Sequence, residues 1–301
     1  MRHARRLLVT GASGFLGAQI VARAASGGFE VIAQIHRGPR PVSEKHPVAS
    51  TIIDFASVEA LERALETIQP AMVIHAAARS RVADCERDAR LAQRVNVDAT
   101  AAIARWSARE GARLVHASTD LVFGALAAPG GGFRETDTPA PLSIYGRTKL
   151  AAEQALLESN PLALVVRLPL LVGPSQARGL GASDSVLAAV DRGELPALFE
   201  DEWRTPLDVR SAAEALLELA SGALAGILHV GGPERMSRYE IGLRALRQRG
   251  LRSDQAREKL LRTTRAAAGF AALRPADVSL NSERARSSLK TLLVGLESGS
   301  I

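Results

Sequence analysis

The sequence predicts an α/β fold in which a doubly wound parallel sheet carries helices on both faces. Short apolar runs alternate with segments of helical period from the N-terminus onward, the pattern of successive β-α-β units. The 301 residues are 47% hydrophobic, and no long linker divides them. A chain of this size and composition buries a large core. We therefore expect one large domain with a smaller attached lobe.

The order of the elements follows from where apolar residues recur at every second position or at every third to fourth position. The predicted strands lie at 7–10, 31–35, 52–54, 72–76, 114–118, 163–168 and 226–232. The predicted helices lie at 15–25, 58–68, 89–109, 145–157, 184–192, 209–221, 238–249 and 282–293. A Gly- and Pro-rich segment at 125–141 interrupts this order directly after a strand. It is either a loop that covers the substrate or a surface insertion.

The composition argues against several classes of partner. The apolar run at residues 7–9 is too short for a signal sequence or a membrane span, so we expect a cytoplasmic protein without membrane association. The net charge is +6, but the basic excess is concentrated in 244–290 and lacks the aromatic or helix-turn-helix signatures of nucleic-acid binding. That segment is either a set of solvated helix faces or an attraction for an anionic substrate. The lone Cys85 indicates a structural role, and no metal site is evident.

A glycine-rich turn follows the first predicted strand and opens the first helix. The stretch "VTGASGFLG" places Gly11, Gly14 and Gly17 in G-x-x-G-x-x-G spacing. Glycines let the backbone turn tightly and approach a pyrophosphate, which the free amides and the dipole of the helix stabilise. Because the spacing occurs at the first strand-to-helix turn of an α/β chain, it predicts a dinucleotide-binding Rossmann fold.

The ends of the second and third strands bear on which dinucleotide binds. An acidic residue at the end of the second strand would favour NAD, but here the chain reads His36 and Arg37. Cations at that position suit a 2′-phosphate, so we expect NADP, with NAD possible. Asp54 and Phe55 follow the third strand and are placed to meet the adenine; Asp54 alternatively caps the next helix.

A catalytic group is predicted around Tyr145. Tyr145 and Lys149 are four positions apart on a predicted helix and share one face, so the ammonium is expected to lower the pKa of the phenol. Such a phenol exchanges a proton with a carbonyl or alcohol oxygen during hydride transfer. Thr119, at the carboxyl end of the fifth strand, supplies a second hydroxyl, unless it serves only as a turn or cap residue.

These motifs resemble the extended short-chain dehydrogenase/reductase superfamily over nearly the whole chain. Beside the glycine loop stand "HAAA" at 75–78, "NV" at 96–97, "STDLVFG" at 118–124, "YGRTKLAAE" at 145–153 and "RLPLLVGP" at 167–174, in the family's order and spacing. The stretches "STDLVFG", "EDEWRTPLDV" at 200–209 and "HVGGPERMSRYEIG" at 229–242 are most similar to the dTDP-4-dehydrorhamnose reductase group.

The resemblance implies both a domain division and a set of site residues. Residues 1–168 would form the NAD(P)-binding Rossmann portion, and 169–301 mainly a substrate-binding lobe, with 205–232 returning to the Rossmann portion. The implied catalytic residues are Thr119, Tyr145 and Lys149, and the implied substrate contacts are Asp120 and Arg204. The implied cofactor contacts are Gly11, Ser13, Gly14, Phe15, Leu16, Gly17, Arg37, Asp54, Phe55, Ala76, Ala77, Ala78, Asn96, Tyr145, Lys149 and Leu168.

The implied reaction is the NADPH-dependent reduction of a 4-keto-6-deoxy nucleotide sugar. Sugar-nucleotide dehydratases of this superfamily carry Thr-Asp-Glu, whereas this chain has Leu121 at the third position, which disfavours elimination. An epimerase uses the same triad and stays open. The aliphatic "LPLL" at 168–171, where the reductases tend to carry an aromatic residue, indicates a different sugar pocket, and Phe15-Leu16 replaces an often polar position.

Two further implications concern partners. The β regulatory subunit of methionine adenosyltransferase resembles the same reductases and binds NADP, so a noncatalytic regulatory role stays open beside catalysis. The resemblance also suggests a homodimer formed through the helices near 89–109 and 145–157. His75 and His229 are interpreted as packing residues of buried strands.

Overall fold

The computed structural model describes residues 5–36, 48–175 and 179–296. Seven strands form one sheet in the order β11-β6-β5-β4-β1-β2-β3, and every neighbouring pair is parallel. The first strand lies inside the sheet and the chain winds outward from it in both directions, as in a Rossmann fold. These strands are β1 (Arg6–Thr10), β2 (Glu30–Ile35), β3 (Ala49–Ile52), β4 (Met72–His75), β5 (Arg113–Thr119), β6 (Leu164–Leu168) and β11 (Gly226–His229).

Helices cover both faces of the sheet. The helices are α1 (Phe15–Ser26), α2 (Val58–Ile68), α3 (Val82–Arg87), α4 (Ala89–Gln93), α5 (Ala99–Glu110), α6 (Ile144–Ser159), α7 (Ala182–Asp191), α8 (Val209–Ser221), α9 (Arg238–Gln248), α10 (Ser253–Glu258) and α11 (Glu283–Ser288). Successive side chains of a strand point to opposite faces. Accordingly Leu7 and Val9 join a core with α1 and α8, while Leu8 joins a second core with α2, α5 and α6. The predicted doubly wound sheet is confirmed.

The chain after β6 forms short strands and helices beside the carboxyl edge of the sheet. The short strands are β7 (Leu171–Val172), β8 (Ala197–Phe199), β9 (Trp203–Arg204), β10 (Leu207–Asp208), β12 (Met236–Ser237) and β13 (Leu261–Thr263). They pair as β7 with β10, β9 with β12 and β8 with β13. Helices α7 and α9 contact each other there and bury apolar residues in common clusters. β11 and α8 lie with the main sheet instead.

Three of the predicted elements differ from the structure in ways that bear on the site or on the packing of the chain. The third strand ends at Ile52, so Asp54 lies in the following turn and not at its end. The long helix predicted at 89–109 is α4 and α5 joined by a π-helical turn at Arg94–Asp98. The helix predicted at 282–293 stops at Ser288, because the Glu218 carboxylate of α8 accepts the backbone N–H groups of residues 290 and 291 and holds the tail extended.

Candidate functional site

A cavity of about 710 Å³ lies at the carboxyl edge of the sheet, over the ends of β1, β2, β4, β5 and β6. This is the size of a site for a cofactor or a drug-sized ligand. Most of the predicted cofactor contacts line this cavity: Gly11, Ser13, Gly14, Phe15, Leu16, Gly17, Asp54, Phe55, Ala76, Ala77, Ala78, Tyr145 and Leu168. Asn96 and Lys149 are buried beside it without lining it, and Arg37 lies outside the described residues.

The glycine loop at one end of the cavity fits a phosphate group. A Cβ on Gly17 would stand 2.7 Å from the carbonyl carbon of Gly11, so only glycine lets the start of α1 approach the loop this closely. Gly14 caps α1 without a side-chain hydrogen bond, and the first turn of the helix carries no acidic residue. The positive end of the helix dipole therefore faces the cavity without an acidic side chain in its own first turn.

Gln34 supports this loop and was missed from the sequence. Its buried side chain accepts a hydrogen bond from the N–H of Gly11 at 2.9 Å and donates one to the carbonyl of Ile53 at 3.1 Å. One amide thus ties the loop after β1 to the segment after β3. The signal was a polar residue inside the apolar strand "EVIAQI", where a buried amide needs partners.

Two exposed polar residues line the cavity beyond the ends of β2 and β3. His36 directly follows β2, and Asp54 lies in the turn after β3, where its carboxylate accepts the N–H of Ala56 at 2.9 Å. Ser57, and not Asp54, caps α2, since its hydroxyl accepts the N–H of Ala60 at 3.2 Å. Asp54 therefore keeps the position beside the cavity for which it was predicted, and the alternative role as a helix cap is wrong.

Asn96 stands in the π-helical turn and links two walls of the cavity. Its side-chain oxygen accepts the N–H of Arg79 at 2.8 Å, and its amide donates to the hydroxyl of Thr148 at 3.0 Å. Arg79 lines the cavity after β4, while Thr148 belongs to α6. Asn96 thus fixes the helix that carries Tyr145 relative to the loop after β4.

Tyr145 and Thr119 meet at the rim of the cavity. Ser143 caps α6 by accepting the N–H of Gly146 at 3.0 Å, which sets the start of the helix. A Cβ on Gly146 would be 2.9 Å from Pro141 and would also collide with the carbonyl of Leu121, so this glycine brings α6 against the turn that follows β5. The Thr119 hydroxyl donates a hydrogen bond to Asp120 Oδ1 at 3.2 Å, and it lies close enough to the phenol of Tyr145 to favour its ionised form. It also accepts the N–H of Leu121, so it serves both as a turn hydroxyl and as a neighbour of Tyr145.

The sequence expectation for the pKa of Tyr145 is wrong. Burial and the charge of Asp120 raise the pKa of the phenol above its ordinary value, although the Thr119 hydroxyl opposes them. Lys149 lies on the same helix face but its ammonium turns toward β5, where it contacts His116 Nε2 at 2.8 Å and donates to the carbonyl of Ala117 at 2.8 Å. Burial lowers the pKa of Lys149 to about 7.

The two predicted substrate contacts bind each other. Arg204 of β9 reaches Asp120, with 2.8 Å between Nη1 and Oδ2, and its other terminal nitrogen lies 3.1 Å from Glu202. All three side chains are buried, and neither Asp120 nor Arg204 lines the cavity. Burial raises the pKa of Asp120 in spite of Arg204. The ion pair connects the turn after β5 to the part of the chain after β6.

The segment 125–141 does not line the 710 Å³ cavity. Phe133 packs against Phe123 with ring centroids 4.1 Å apart and exchanges backbone hydrogen bonds with residues 279 and 281. Glu135 accepts the N–H of His229 at 2.9 Å. The segment is therefore fastened to the C-terminal part of the chain, and its glycines border a separate cavity of about 490 Å³.

Two absences hold for the part of the chain that the structure describes. None of its helices combines the length and apolar character that crossing a bilayer requires. Across residues 5–36, 48–175 and 179–296 there is also no group of three or more His, Cys, Asp or Glu side chains that could hold a metal ion.

Comparisons with known proteins agree on the family. The family model for the RmlD substrate binding domain matches residues 5–295. Methionine adenosyltransferase 2 subunit beta from Pongo abelii is 32% identical over 244 residues, covering 79% of this chain and 70% of that protein. The crystal structure of a hypothetical dTDP-4-dehydrorhamnose reductase from Sulfolobus tokodaii is 30% identical, with a TM-score of 0.78 over 97% of this chain and 98% of that one.

A more distant structure shows the same fold. The dTDP-4-dehydrorhamnose reductase from Bacillus anthracis in complex with NADP has a TM-score of 0.79 at 23% identity, covering 98% of this chain and 96% of that one. The chain therefore belongs to the RmlD substrate binding domain family, within the extended short-chain dehydrogenase/reductases.

Proposed function

We propose that this chain is an NADPH-dependent reductase of a 4-keto-6-deoxy nucleotide sugar, with Tyr145 as the proton donor. The observation that carries the proposal is one continuous cavity with the glycine loop at one end and the Thr119–Tyr145 pair at its rim. The glycine loop binds the phosphates of the cofactor, and Thr119 and Tyr145 offer two hydroxyls to an oxygen of the substrate. The Sulfolobus and Bacillus proteins support the choice of sugar.

The residues divide the work between binding and proton transfer. Gly11, Gly14 and Gly17 admit the pyrophosphate, and the N-terminus of α1 stabilises its charge. NADPH, when bound, supplies a hydride to the carbonyl carbon. Thr119 orients the carbonyl oxygen, and Tyr145 donates its phenolic proton to that oxygen as the alcohol forms. The raised pKa keeps Tyr145 protonated at neutral pH, which suits a donor in the direction of reduction.

We propose NADP over NAD because His36 lines the cavity beside the end of β2, with Arg37 next in the sequence. A cationic or neutral side chain there accepts a 2′-phosphate, which an acidic residue would repel. The NADP complex of the Bacillus protein supports this choice. Binding of NADPH and NADH to the same preparation, compared by fluorescence titration, tests it: tighter binding of NADH would contradict it.

The test of the reaction is NADPH consumption with a panel of 4-keto nucleotide sugars. We expect loss of NADPH absorbance, with one mole of alcohol product for each mole of NADPH, for at least one 4-keto-6-deoxy sugar. An epimerase would convert a nucleotide sugar without net consumption of NADPH. Tight binding of NADPH with no turnover on any member of the panel would contradict the proposal.

A regulatory role is the second candidate, and one observation favours it. The 32% identity to methionine adenosyltransferase 2 subunit beta exceeds the 30% identity to the Sulfolobus reductase. In that case the chain would bind NADP and a catalytic partner. Co-purification with a methionine adenosyltransferase, together with the absence of turnover on the sugar panel, would favour this candidate.

A further inference from the structure

Two buried histidines lie side by side beneath the cavity and have opposite hydrogen-bond environments. The rings of His75 on β4 and His116 on β5 are 5.0 Å apart, and neither is exposed. The Thr10 hydroxyl accepts the N–H groups of residues 76 and 77, so its own proton goes to His75 Nδ1 at 2.7 Å. His75 Nε2 must then carry the ring proton, which it donates to Thr100 at 3.0 Å. The tautomer of His75 is therefore fixed.

His116 has one strong partner and one free ring atom. Its Nε2 lies 2.8 Å from Nζ of Lys149, while Nδ1 is buried and has no hydrogen-bond partner among the described residues. Lys149 is 1% exposed and also donates to the carbonyl of Ala117. Among these contacts, only the one with Lys149 can decide which nitrogen of His116 carries the proton.

The position of the ring proton of His116 depends on the charge of Lys149. A charged ammonium has only donors, so His116 Nε2 must accept and the ring proton must sit on Nδ1. A neutral amine offers a lone pair, so Nε2–H can donate to Nζ, which removes the unpaired buried N–H at Nδ1. The same 2.8 Å contact is thus a hydrogen bond in both states, but its direction reverses.

The groups around the pair place this change near neutral pH. Burial lowers the pKa of Lys149 to about 7, and Glu153 on the same helix opposes that shift. Glu153 is itself paired with Arg167 of β6 at 2.7 Å. Burial and the charge of Lys149 hold the pKa of His116 well below its ordinary value, and burial lowers that of His75 to about 3, so both rings stay neutral. Tyr145, one turn away, stays protonated.

We propose that His116 is a positioning residue for Lys149, which moves its ring proton from Nδ1 to Nε2 when Lys149 loses a proton. The charged pair holds three protons on Nζ and one on Nδ1; after release of one proton to solvent, it holds two on Nζ and one on Nε2. His116 thereby keeps Lys149 attached to β5 in both charge states. The inference rests on the proposed function only where it concerns turnover.

The nitrogen NMR spectrum of the histidine side chains tests the tautomer change without cofactor or substrate. The chain has six histidines, and the His116→Gln and His75→Gln variants assign the two signals by their loss. We expect His116 to pass from Nδ1–H to Nε2–H between about pH 6 and 9, around the pKa of Lys149, while His75 stays Nε2–H as the internal control. A single tautomer of His116 over that range overturns the inference.

A second variant ties the change to Lys149. In Lys149→Met, the methionine side chain cannot gain or lose a proton, so His116 should keep one tautomer at every pH. A pH-dependent tautomer of His116 in this variant would assign the change to another group and overturn the inference. If Lys149→Met does not fold, Lys149→Gln, whose amide likewise neither gains nor loses a proton, replaces it.

The pH profile of turnover distinguishes a role of His116 toward Lys149 from a packing role. Lys149 is predicted to act in its charged form, so kcat should fall as rising pH removes the proton from its ammonium. His116→Phe fills the same space but offers no acceptor, so the ammonium is disfavoured and this alkaline fall of kcat should move down by about one pH unit. His116→Gln, whose amide presents either oxygen or NH₂, should restore the wild-type profile. His229→Gln, a buried histidine that contacts Arg167 and not Lys149, is the control.

The two arms separate failure of the inference from failure of the proposed function. Equal profiles for His116→Phe and wild type overturn the inference while leaving the reductase in place. If no substrate is reduced, the proposed function fails, and the NMR arm still decides the inference because it needs neither cofactor nor turnover.

Discussion

Arg204 and Asp120 form a buried ion pair, 2.8 Å long, between two parts of the chain that are far apart in sequence. Asp120 directly follows β5, the strand that ends at Thr119. Arg204 belongs to β9, which comes after β6 in the sequence. The pair therefore couples the position of β9 to the turn beside Tyr145. Two residues predicted to contact the substrate therefore contact each other. The contribution of this ion pair to the free energy of unfolding can be measured by substitution.

Replacing Arg204 by Met should destabilise the protein by about 3–5 kcal/mol, because Asp120 is left buried without its cation. The measurement is the free energy of unfolding from urea denaturation. The control is Arg252→Met, since the Arg252–Asp254 pair has side chains 75% and 64% exposed, and its loss should cost less than about 1 kcal/mol. Equal losses for the two variants would mean that burial does not strengthen the Arg204 contact.

Glu202 should make stability depend on acid pH. Burial disfavours its charge, but Arg204, Arg274 and Arg238 together lower the pKa of Glu202 to about 2. Because the folded pKa lies below the unfolded value, the unfolded state binds more protons, so the stabilisation is complete above the unfolded pKa and is lost as the pH falls toward 2. Over the interval between its unfolded and folded pKa values, Glu202 contributes about 3 kcal/mol to the free energy of unfolding.

The Glu202→Gln variant isolates this contribution, since it lacks the titrating carboxyl. We expect the difference in unfolding free energy between wild type and Glu202→Gln to shrink steadily from about pH 6 to pH 3. Glu258→Gln, the same carboxylate-to-amide change at the exposed end of α10, is the matched control. A pH-independent difference for Glu202→Gln would show that the three arginines do not depress its pKa.

Gly17→Ala should weaken NADPH binding by at least about tenfold, equivalent to about 1.4 kcal/mol. The added Cβ would stand 2.7 Å from the carbonyl carbon of Gly11 and 2.8 Å from Cα of Ala12, both backbone atoms, so the loop must move. Gly130→Ala is the control, because a Cβ there meets no atom within 4 Å. Fluorescence titration with NADPH measures both, and unchanged binding by Gly17→Ala would remove the glycine loop from the site.

The periodicity of the sequence predicts most of the fold because the buried face of each strand or helix determines the spacing of apolar residues within that element. The helix at 58–68 and the helix at 209–221 have the bounds that were predicted. The π-helical turn at Arg94–Asp98 has no such signal, since apolar spacing continues through it, and it is set by what Asn96 must reach. The end of the last helix depends on Glu218, distant in sequence, and is equally invisible.

The site shows the same division between local and distant causes. Glycine spacing and the order of motifs predict many of the residues that line the cavity, among them Tyr145, and Thr119 was expected to supply a second hydroxyl there. The direction of the Lys149 side chain was not predictable. The spacing of the sequence places Lys149 on a helix face, but it does not show that His116 of β5 lies within hydrogen-bond distance. The Asp120–Arg204 pair was missed for a similar reason: two residues near a ligand site also satisfy each other.

The central claim, that Tyr145 donates the proton, is tested most directly by Tyr145→Phe with Tyr239→Phe as its matched control. The chain has only two tyrosines, and Tyr239 lies on α9 against Arg262, away from the cavity. On a 4-keto nucleotide sugar that wild type reduces, Tyr145→Phe should lose about 10²–10⁴-fold in kcat with NADPH affinity kept, while Tyr239→Phe keeps the wild-type rate. Wild-type turnover by Tyr145→Phe would contradict the account.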